Sequence, residues 1–474
     1  MLTQIANEES RLSLWLRVRE FAVPPSMIET ATARRSVGDW AGACAAAHVD
    51  VDLDVRSLAR TYGHELTAQL RSDLRQLAPD LLRWHMPRVA PDGLLRPGLT
   101  VALARYGVHG TGDGAHPVHL VVRTPPAWAD AGQRMSLALW DGVHFEKAGA
   151  SRHPRPRPHP RFRLDLHRHL WDARRTEELR ARSGAGGPGD PPGGVGPVLD
   201  PRVLSAAPWE RLCAVDRWAD EAAILLHAEG RSSGAVTVRL GPRDRLTLEP
   251  VADPDRHAPS TLRPTRGRTA GASAPLVLPD AATWRAPDQE LVRSGRLDAD
   301  RLHPLVASAL LPDHVPKASS GAWSGSGGDG RPRLVECRGE QHRIGLLDGA
   351  LAALDHDPAE VRREELLAAL SGTPLPCLQA IDEAHRRPEC LIGVRERLAH
   401  GDIAGALTVV EQLLGSGASL RDGGLRDALD EAAQGRITYG LYRSGLAGPA
   451  PGRLPPAKPR PGDGRTRPRR APAR

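Results

Sequence analysis

Apolar residues in the first 90 positions recur at the spacing of α-helices. The clearest run is a stripe with a leucine at every third or fourth position, which continues towards Leu81 and Trp84. Its members are Leu66, Leu70, Leu74 and Leu77. Residues at this spacing return to the same side of a helix, so the stripe predicts a helix packed through one apolar face. We therefore expect a helical segment at 1–90.

The pattern changes to alternation of apolar and polar residues after residue 98. Three runs show it, with glycine- and aspartate-rich turns between them. They are TVALARY at 100–106, PVHLVVR at 117–123 and MSLALW at 135–140. Successive side chains of a strand point to opposite faces, so these runs predict strands within a β-rich segment at 98–182. The stretch GAGGPGDPPGGVG then predicts a linker at 183–199.

Residues 200–356 combine both patterns and predict a mixed α/β segment. An amphipathic helix is expected from Trp209 to Glu229. The runs VTVRL and RLTLEPV flank a GPRD turn and predict a hairpin. A second hairpin is expected from RLVEC and HRIGLL, around Arg338 to Gln341.

Residues 357–446 have the strongest helix-boundary signals and predict a helical domain. Asp357 suits an N-cap, Pro358 the first helical position, and Gly372 the end of that helix. Further helices are predicted at 376–387, 389–400 and 403–414. The whole pattern predicts an α+β fold, with helical N- and C-terminal segments around a mixed α/β middle and a disordered Arg/Pro tail at 447–474.

One motif occurs twice, at 34–43 and at 397–406. Both copies have the form R-x-x-x-G-D-x-A-G-A and lie between apolar helical runs. The expected structure is a helix, a left-handed glycine, an aspartate N-cap and a second helix. These turns resemble those of tetratricopeptide-type helical hairpins, although the 34-residue period and its aromatic signature are absent. The alternative is coincidence from shared helix-hairpin chemistry.

The basic charge of the chain is concentrated in the tail. Eight of the 64 basic residues and one of the 57 acidic residues lie in 447–474, so the tail carries the whole formal net charge of +7. Its clustered arginines are candidate phosphate-binding residues. They are Arg465, Arg467, Arg469 and Arg470. The alternative is a solvated extension, because the tail contains no aromatic residue for base stacking. Only three basic residues of the chain are lysines, which is typical of GC-rich coding. The presence of an arginine at any one position is therefore weak evidence that this residue is functional.

The five cysteines are widely spaced and contain no C-x-x-C pair, which favours buried reduced thiols. Neither Cys337 with His342 nor Cys377 with His385 and Cys390 matches a known zinc spacing. The N-terminus lacks the pattern of a signal peptide, and no apolar run approaches the roughly 20 residues of a membrane span. We therefore expect a cytoplasmic protein.

Two common sets of catalytic motifs are missing. The chain has no Gly-Lys pair for a phosphate-binding P-loop, and no V-A-I-K strand or H-R-D loop of a protein kinase. The triplet Asp50, Asp52 and Asp54 could be a weak cation site, but it lacks the glycine and glutamate of a calcium-binding loop. A half-buried strand, with Asp54 capping the next helix, is the alternative.

The densest group of potential metal ligands lies within eight positions. Its members are Asp165, His167, His169 and Asp172. A His-x-His pair on a strand would place both rings on one face, as Zn²⁺ and Fe²⁺ centres use. The alternative is a solvated edge strand beside arginine-rich sequence.

The segments LAPDLLRWHMPR at 77–88 and GTPLPCLQAIDEAHRRPECL at 372–391 resemble stretches of hypothetical proteins of high-GC actinobacteria. This resemblance implies no known function and no site residues.

No gathered set of reactive side chains is evident in the sequence. We therefore expect a non-catalytic interaction or regulatory protein that binds an unknown partner protein through helical surfaces, without a cofactor and without membrane contact. The first alternative is a metal-dependent enzyme or metal-binding protein that uses the group from Asp165 to Asp172. The second is nucleic-acid binding through the basic tail.

Overall fold

The computed structural model describes residues 8–109, 116–142, 153–183, 212–241, 243–251, 261–265, 274–314, 333–347, 350–372, 374–387, 390–415 and 419–448. The fold is α+β, as the hydrophobic pattern predicts: of the described residues, 51% are helical and 18% lie in strands, which form several small sheets. Among the described helices, none combines the length and apolarity that crossing a bilayer requires.

Residues 8–85, which the structure describes, contain five α-helices. They are Glu8–Arg17 (α1), Pro25–Ser36 (α2), Trp40–Ala46 (α3), Val55–Gln76 (α4) and Pro79–His85 (α5). A π-helical turn, Val18–Ala22, continues α1. Proline begins α2 and α5, where its missing N–H would have no helical partner in any case. The predicted leucine stripe of α4 is buried together with Leu81 and Trp84.

The predicted alternating runs form one mixed sheet with the strand order β1-β6-β5-β4. Its strands are Val49–Val51 (β1), Thr100–His109 (β4), His116–Arg123 (β5) and Met135–Trp140 (β6). Strand β1 pairs with β6 in parallel, whereas β4, β5 and β6 pair antiparallel. A short ribbon, Arg88–Val89 (β2) with Leu94–Leu95 (β3), precedes β4. Asp54 accepts a hydrogen bond from the backbone of Arg56 and so caps α4.

A second sheet packs against one helix in the middle of the chain. The strands are Val236–Arg239 (β7), Arg245–Val251 (β8), Thr261–Pro264 (β9) and Leu276–Val277 (β10), in the order β10-β7-β8-β9. Helices Glu178–Arg182 (α6) and Trp218–Ala228 (α7) precede it, and Asp280–Thr283 (α8), Pro287–Arg293 (α9) and Pro304–Leu310 (α10) follow. Helix α7 and this sheet share a core around Trp218.

The described residues between 333 and 448 combine a small sheet with five helices. The sheet contains Arg333–Cys337 (β11), Glu340–Leu347 (β12) and Ala350–Ala353 (β13), all antiparallel. The helices are Pro358–Ser371 (α11), Pro376–Arg386 (α12), Leu391–His400 (α13), Ile403–Leu414 (α14) and Gly424–Arg443 (α15). Asp357 caps α11 and Gly372 ends it in the left-handed conformation, as expected from the sequence.

The hydrophobic cores join parts of the chain that sequence analysis separates. The largest core combines residues 12–179 with Leu291, Val306 and other residues of 291–309. Helices α9 and α10 therefore pack on the N-terminal part rather than on the preceding sheet. One reason is a buried contact at 2.8 Å between Nε2 of His303, at the start of α10, and Asp80 of α5.

The N- and C-terminal parts contact each other directly. Arg83, which has no exposed surface, donates hydrogen bonds to the backbone carbonyls of Ala22, Gln133 and His400. On another face, the Tyr439 hydroxyl of α15 donates to Asp50 of β1 at 2.6 Å. The two helical ends therefore form one packed body.

Candidate functional site

A cavity of about 150 Å³ lies between the largest core and the unit formed by α7 and the second sheet. Its wall comes from α1, the end of α5, residues 161–170, the start of α7 and residues 280–289. An engineered protein cavity of similar volume holds one benzene molecule, so this space suits a ligand of about single-ring size. We call it the arginine-lined cavity.

A buried cluster fixes one wall of this cavity. The indole nitrogen of Trp84, on α5, donates to Asp288 of α9 at 2.8 Å. Arg19 reaches the same carboxylate at 3.4 Å, and its guanidinium lies 4.1 Å from the centre of the Trp84 ring. This cluster holds the start of α9 against α5 and so places Trp284 and Arg285, just before α9, in the wall.

Two carboxylates line the cavity, and both are engaged in ion pairs. Arg182 binds Glu221 through two contacts, at 2.6 and 2.7 Å, and Nε2 of His167 lies 3.1 Å from the same carboxylate. Burial acts to raise the pKa of Glu221, but the contacts with His167 and Arg182 outweigh it and lower the pKa to about 2. The second carboxylate, Asp280, pairs with Arg161.

Eight arginines line the same cavity. Four of them form close ion pairs at their guanidinium groups. They are Arg11, Arg161, Arg163 and Arg182. Positive charge on the wall therefore exceeds the negative charge of Glu221 and Asp280.

The other four arginines are less well neutralised. Arg88 donates to two backbone carbonyls, and burial together with the charge of Arg83 holds its pKa well below its usual range. Burial and the neighbouring Arg161 also lower the pKa of Arg96. Within the described ranges, the remaining two approach carboxylates at longer distances: Arg217 lies 3.8 Å from Asp220, and Arg285 lies 3.6 Å from Asp216.

Seven buried nitrogen atoms in the wall have no hydrogen-bond partner among the described residues. Five of them can only donate: the indole nitrogens of two tryptophans and the Nε atoms of three arginines. These five belong to Trp15, Trp284, Arg88, Arg217 and Arg285. A buried polar atom without a partner is unfavourable, so this wall is complementary to a molecule rich in hydrogen-bond acceptors.

The other two nitrogens belong to neutral histidines. Burial lowers the pKa of His85 to about 4. Burial, reinforced by His167 and Arg182, holds the pKa of His169 well below its usual range. At neutral pH each ring therefore has one protonated and one unprotonated nitrogen. The buried nitrogen can donate a hydrogen bond to a ligand or accept one from it, depending on which nitrogen carries the proton.

The four predicted metal ligands are divided among different partners. Asp165 pairs with Arg163 at 2.8 Å. Asp172 is fully buried and pairs with Arg168 and Arg174 at 2.8 and 2.9 Å. The structure therefore commits both carboxylates to arginines.

The two histidines of that group also contact different parts of the structure. His167 contacts Glu221, whereas His169 faces the arginine-lined cavity. Within the described ranges, the four ligand atoms do not form one cluster. The alternative of a solvated edge strand is wrong, because His167, His169 and Asp172 are buried in turns next to α6 and α7.

Asp50 and Asp52 of the predicted cation site lie away from the cavity. Asp50 pairs with Arg134 at 2.7 Å, and Asp52 pairs with Arg443. The candidate phosphate-binding residues Arg465, Arg467, Arg469 and Arg470 lie outside the described residues.

Sequence reasoning identified one residue of the cavity wall, His169, and missed the principal donors. Trp15, Arg217 and Trp284 lie on separate segments and belong to no motif. The available signal was the large number of arginines, which coding bias explains equally well.

Comparison of the chain with protein-family models, with curated proteins and with solved structures returned no significant match.

Proposed function

We propose that this protein binds a small organic anion in the arginine-lined cavity. The observation that carries the proposal is a set of five donor-only nitrogens in one wall of the cavity, buried and without a partner in the part of the chain that the structure describes. Carboxylate and phosphate oxygens accept several hydrogen bonds each, so a ligand of this kind would satisfy donors that the protein leaves unsatisfied.

The charges of the wall support an anion rather than a neutral acceptor. Its two carboxylates are already paired, while Arg88, Arg96, Arg217 and Arg285 have no close carboxylate partner among the described residues. Charge-assisted hydrogen bonds to arginine are roughly twice as strong as neutral ones. An anionic ligand would therefore bind more tightly in this cavity than its neutral analogue.

The apolar part of the wall supports a ligand with a flat ring. Trp15, Phe162 and Trp284 contribute aromatic surface, and the volume of about 150 Å³ suits one ring. The substrate class that we propose is accordingly a small aromatic carboxylate or a phosphorylated compound of similar size.

Thermal unfolding of the full-length protein tests this proposal with benzoate, benzamide and inorganic phosphate. Benzoate and benzamide have nearly the same shape and differ in charge. Benzoate and phosphate should raise the unfolding temperature and benzamide should not. A ligand at 100 times its Kd stabilises the folded state by about 2.7 kcal/mol.

Substitutions of cavity arginines test whether the anion binds in the cavity. We expect Arg217→Gln and Arg285→Gln each to weaken benzoate binding by about tenfold or more, since each removes a charged donor. The control is Arg421→Gln, which removes an exposed arginine paired with Asp382. The proposal is contradicted if benzamide stabilises as well as benzoate, if neither anion stabilises, or if the cavity variants respond like the control.

A second candidate function is partner binding through helical surfaces, and exposed leucines on α11 favour it. Leu366 is 65% exposed and Leu370 is 88% exposed, and exposed apolar clusters commonly mark interaction sites. The simplest partner is a second copy of the chain. Sedimentation should then show self-association that a Leu366→Glu, Leu370→Glu variant loses and that an Ile392→Glu control retains.

A further inference from the structure

We infer that Cys337, His356 and Cys377 form a binding site for one Zn²⁺ ion. One ligand atom from each residue can be chosen so that all three lie within 4.8 Å of one another. Both cysteines are free thiols and are buried, and Nε2 of His356 is buried without a partner in the described part of the chain. Two sulfurs and one imidazole bind Zn²⁺ better than they bind Mg²⁺ or Ca²⁺, which favour oxygen ligands.

Three local structures bring these residues together. Cys337 ends β11 and precedes a two-residue turn in which Arg338 and Gly339 both have positive φ, at 58° and 84°. His356 follows β13 in the turn that leads to α11. Cys377 is the second residue of α12. The ion would therefore link one end of the sheet to one end of a helix.

The size of the surrounding core gives independent support. The core between this sheet and α12 contains four buried residues: Cys337, Ile344, Cys377 and Ile381. Leu334, Leu346 and Leu347 of the same sheet are exposed and add little to it. Small units of this kind commonly need a metal or disulfide for stability. Zn²⁺ would supply that stability, and the two thiols would each release a proton as the Zn–S bonds form.

The three ligands leave one position of a tetrahedral ion. The ring of His342 stacks on His356 with 4.1 Å between ring centres, and its Nδ1 is buried without a partner among the described residues. His342 is not among the residues whose ligand atoms all lie within 4.8 Å of one another, so a water molecule would take the fourth position.

Titration of reduced, metal-free, full-length protein with Co²⁺ tests the site. We expect one equivalent to produce a sulfur-to-cobalt charge-transfer band with the visible bands of a tetrahedral ion, and Zn²⁺ to displace it. Cys337→Ser and Cys377→Ser should each lose most of the charge-transfer intensity. Cys213→Ser, which alters a buried cysteine of another core, should retain it.

His356→Ala preserves both sulfurs and should weaken Zn²⁺ binding by more than about 100-fold, since loss of even an outer partner can cost 10- to 100-fold. Hydrogen exchange of wild-type protein gives a readout that needs no variant: removing Zn²⁺ should speed exchange in β11, β12, β13 and α12 and leave α4 unchanged. No charge-transfer band in reduced wild-type protein, an equal band in the Cys337→Ser and Cys377→Ser variants, or unchanged exchange would overturn the inference.

Discussion

Arg83 illustrates how single residues hold distant parts of this chain together. Its guanidinium binds three backbone carbonyls at the π-helical turn, the loop before β6 and the end of α13. The five donors of an arginine suit such a meeting point, because one guanidinium can donate to several carbonyls at once. Gly401 lies at the same junction, next to His400 and against the backbone of Gly132.

Gly401→Ala should destabilise the protein more than Gly38→Ala. Both glycines have positive φ, at 88° and 79°, so each alanine suffers backbone strain of about 1–2 kcal/mol. An added methyl at Gly401 would also overlap the carbonyl of Gly132, whereas nothing lies within 4 Å at Gly38. We expect a loss of unfolding free energy above about 2 kcal/mol for Gly401→Ala, measured by chemical denaturation. Equal losses in the two variants would contradict this explanation.

At the scale of elements, the repeated R-x-x-x-G-D-x-A-G-A motif forms the same helical turn twice. Asp39 accepts a hydrogen bond from the backbone of Gly42, and Asp402 does so from Gly405, at 2.8 and 3.0 Å. The arginine five residues earlier pairs with the aspartate in both copies. A Cβ at the motif's last glycine would overlap the capping carboxylate, so the aspartate side chain would have to shift.

The two halves of helix α15 are attached to different parts of the structure. Its C-terminal half docks on β1, where Tyr439 and Arg443 reach Asp50 at 2.6 and 3.2 Å. Its N-terminal half is held by Leu425 in a separate core with α13 and α14. The two halves are therefore secured independently.

Asp50→Asn should loosen only the C-terminal half of α15. The substitution keeps the size of the side chain and removes the charge that Arg443 contacts. Hydrogen exchange at 436–443 should become about tenfold faster, equivalent to about 1.4 kcal/mol, with little change near Leu425. Asp427→Asn, at an exposed position of the same helix, is the control. Faster exchange along the whole helix would show that the two halves unfold together.

On the scale of the whole molecule, the arginine-lined cavity exists because two cores meet imperfectly. The largest core and the core of α7 with the second sheet each bury their own apolar residues. Between them remain arginines, histidines and tryptophans with apolar bodies and polar ends, which can line a gap without closing it. Binding sites are commonly found at such junctions.

Buried neutral histidines should make the whole molecule less stable in weak acid. Burial lowers the pKa of His48 to about 3 and that of His85 to about 4, against an ordinary value of 6.5. Below pH 6.5 the two histidines take up protons in the unfolded chain but remain neutral in the folded chain. Proton uptake therefore favours unfolding, so the protein keeps its full stability above pH 6.5 and loses stability as the pH falls below that value.

Chemical denaturation at pH values of about 7 and about 5.5 should show a loss of up to about 1.4 kcal/mol per pH unit for each such histidine. Glu221 does not contribute in this window, because its pKa is lowered from 4.5 to about 2 and its stabilisation is lost only at lower pH. His85→Asn should flatten the dependence. An unchanged unfolding free energy between the two pH values would refute this account.

The candidate site was much less predictable than the elements that carry it. The sequence marks His167 and His169 as a pair, but their neighbours in space, Glu221 and Arg182, come from α7 and α6. Similarly, Cys337 and Cys377 lie 40 positions apart and match no zinc spacing, yet their sulfurs approach each other. Such contacts depend on how sheets and helices pack, which short-range spacing does not encode.

The sequence by itself determined where many elements begin and end. Asp357, Asp402 and the glycines that follow helices act through atoms within a few residues, so their roles follow from local composition. The alternating runs likewise determined the strands of the first sheet. Only the tertiary structure decided which surfaces met: it brought Trp15 to Trp284 at one cavity and His356 between two cysteines. Packing of apolar faces selects those contacts, and it acts between residues that are distant along the chain.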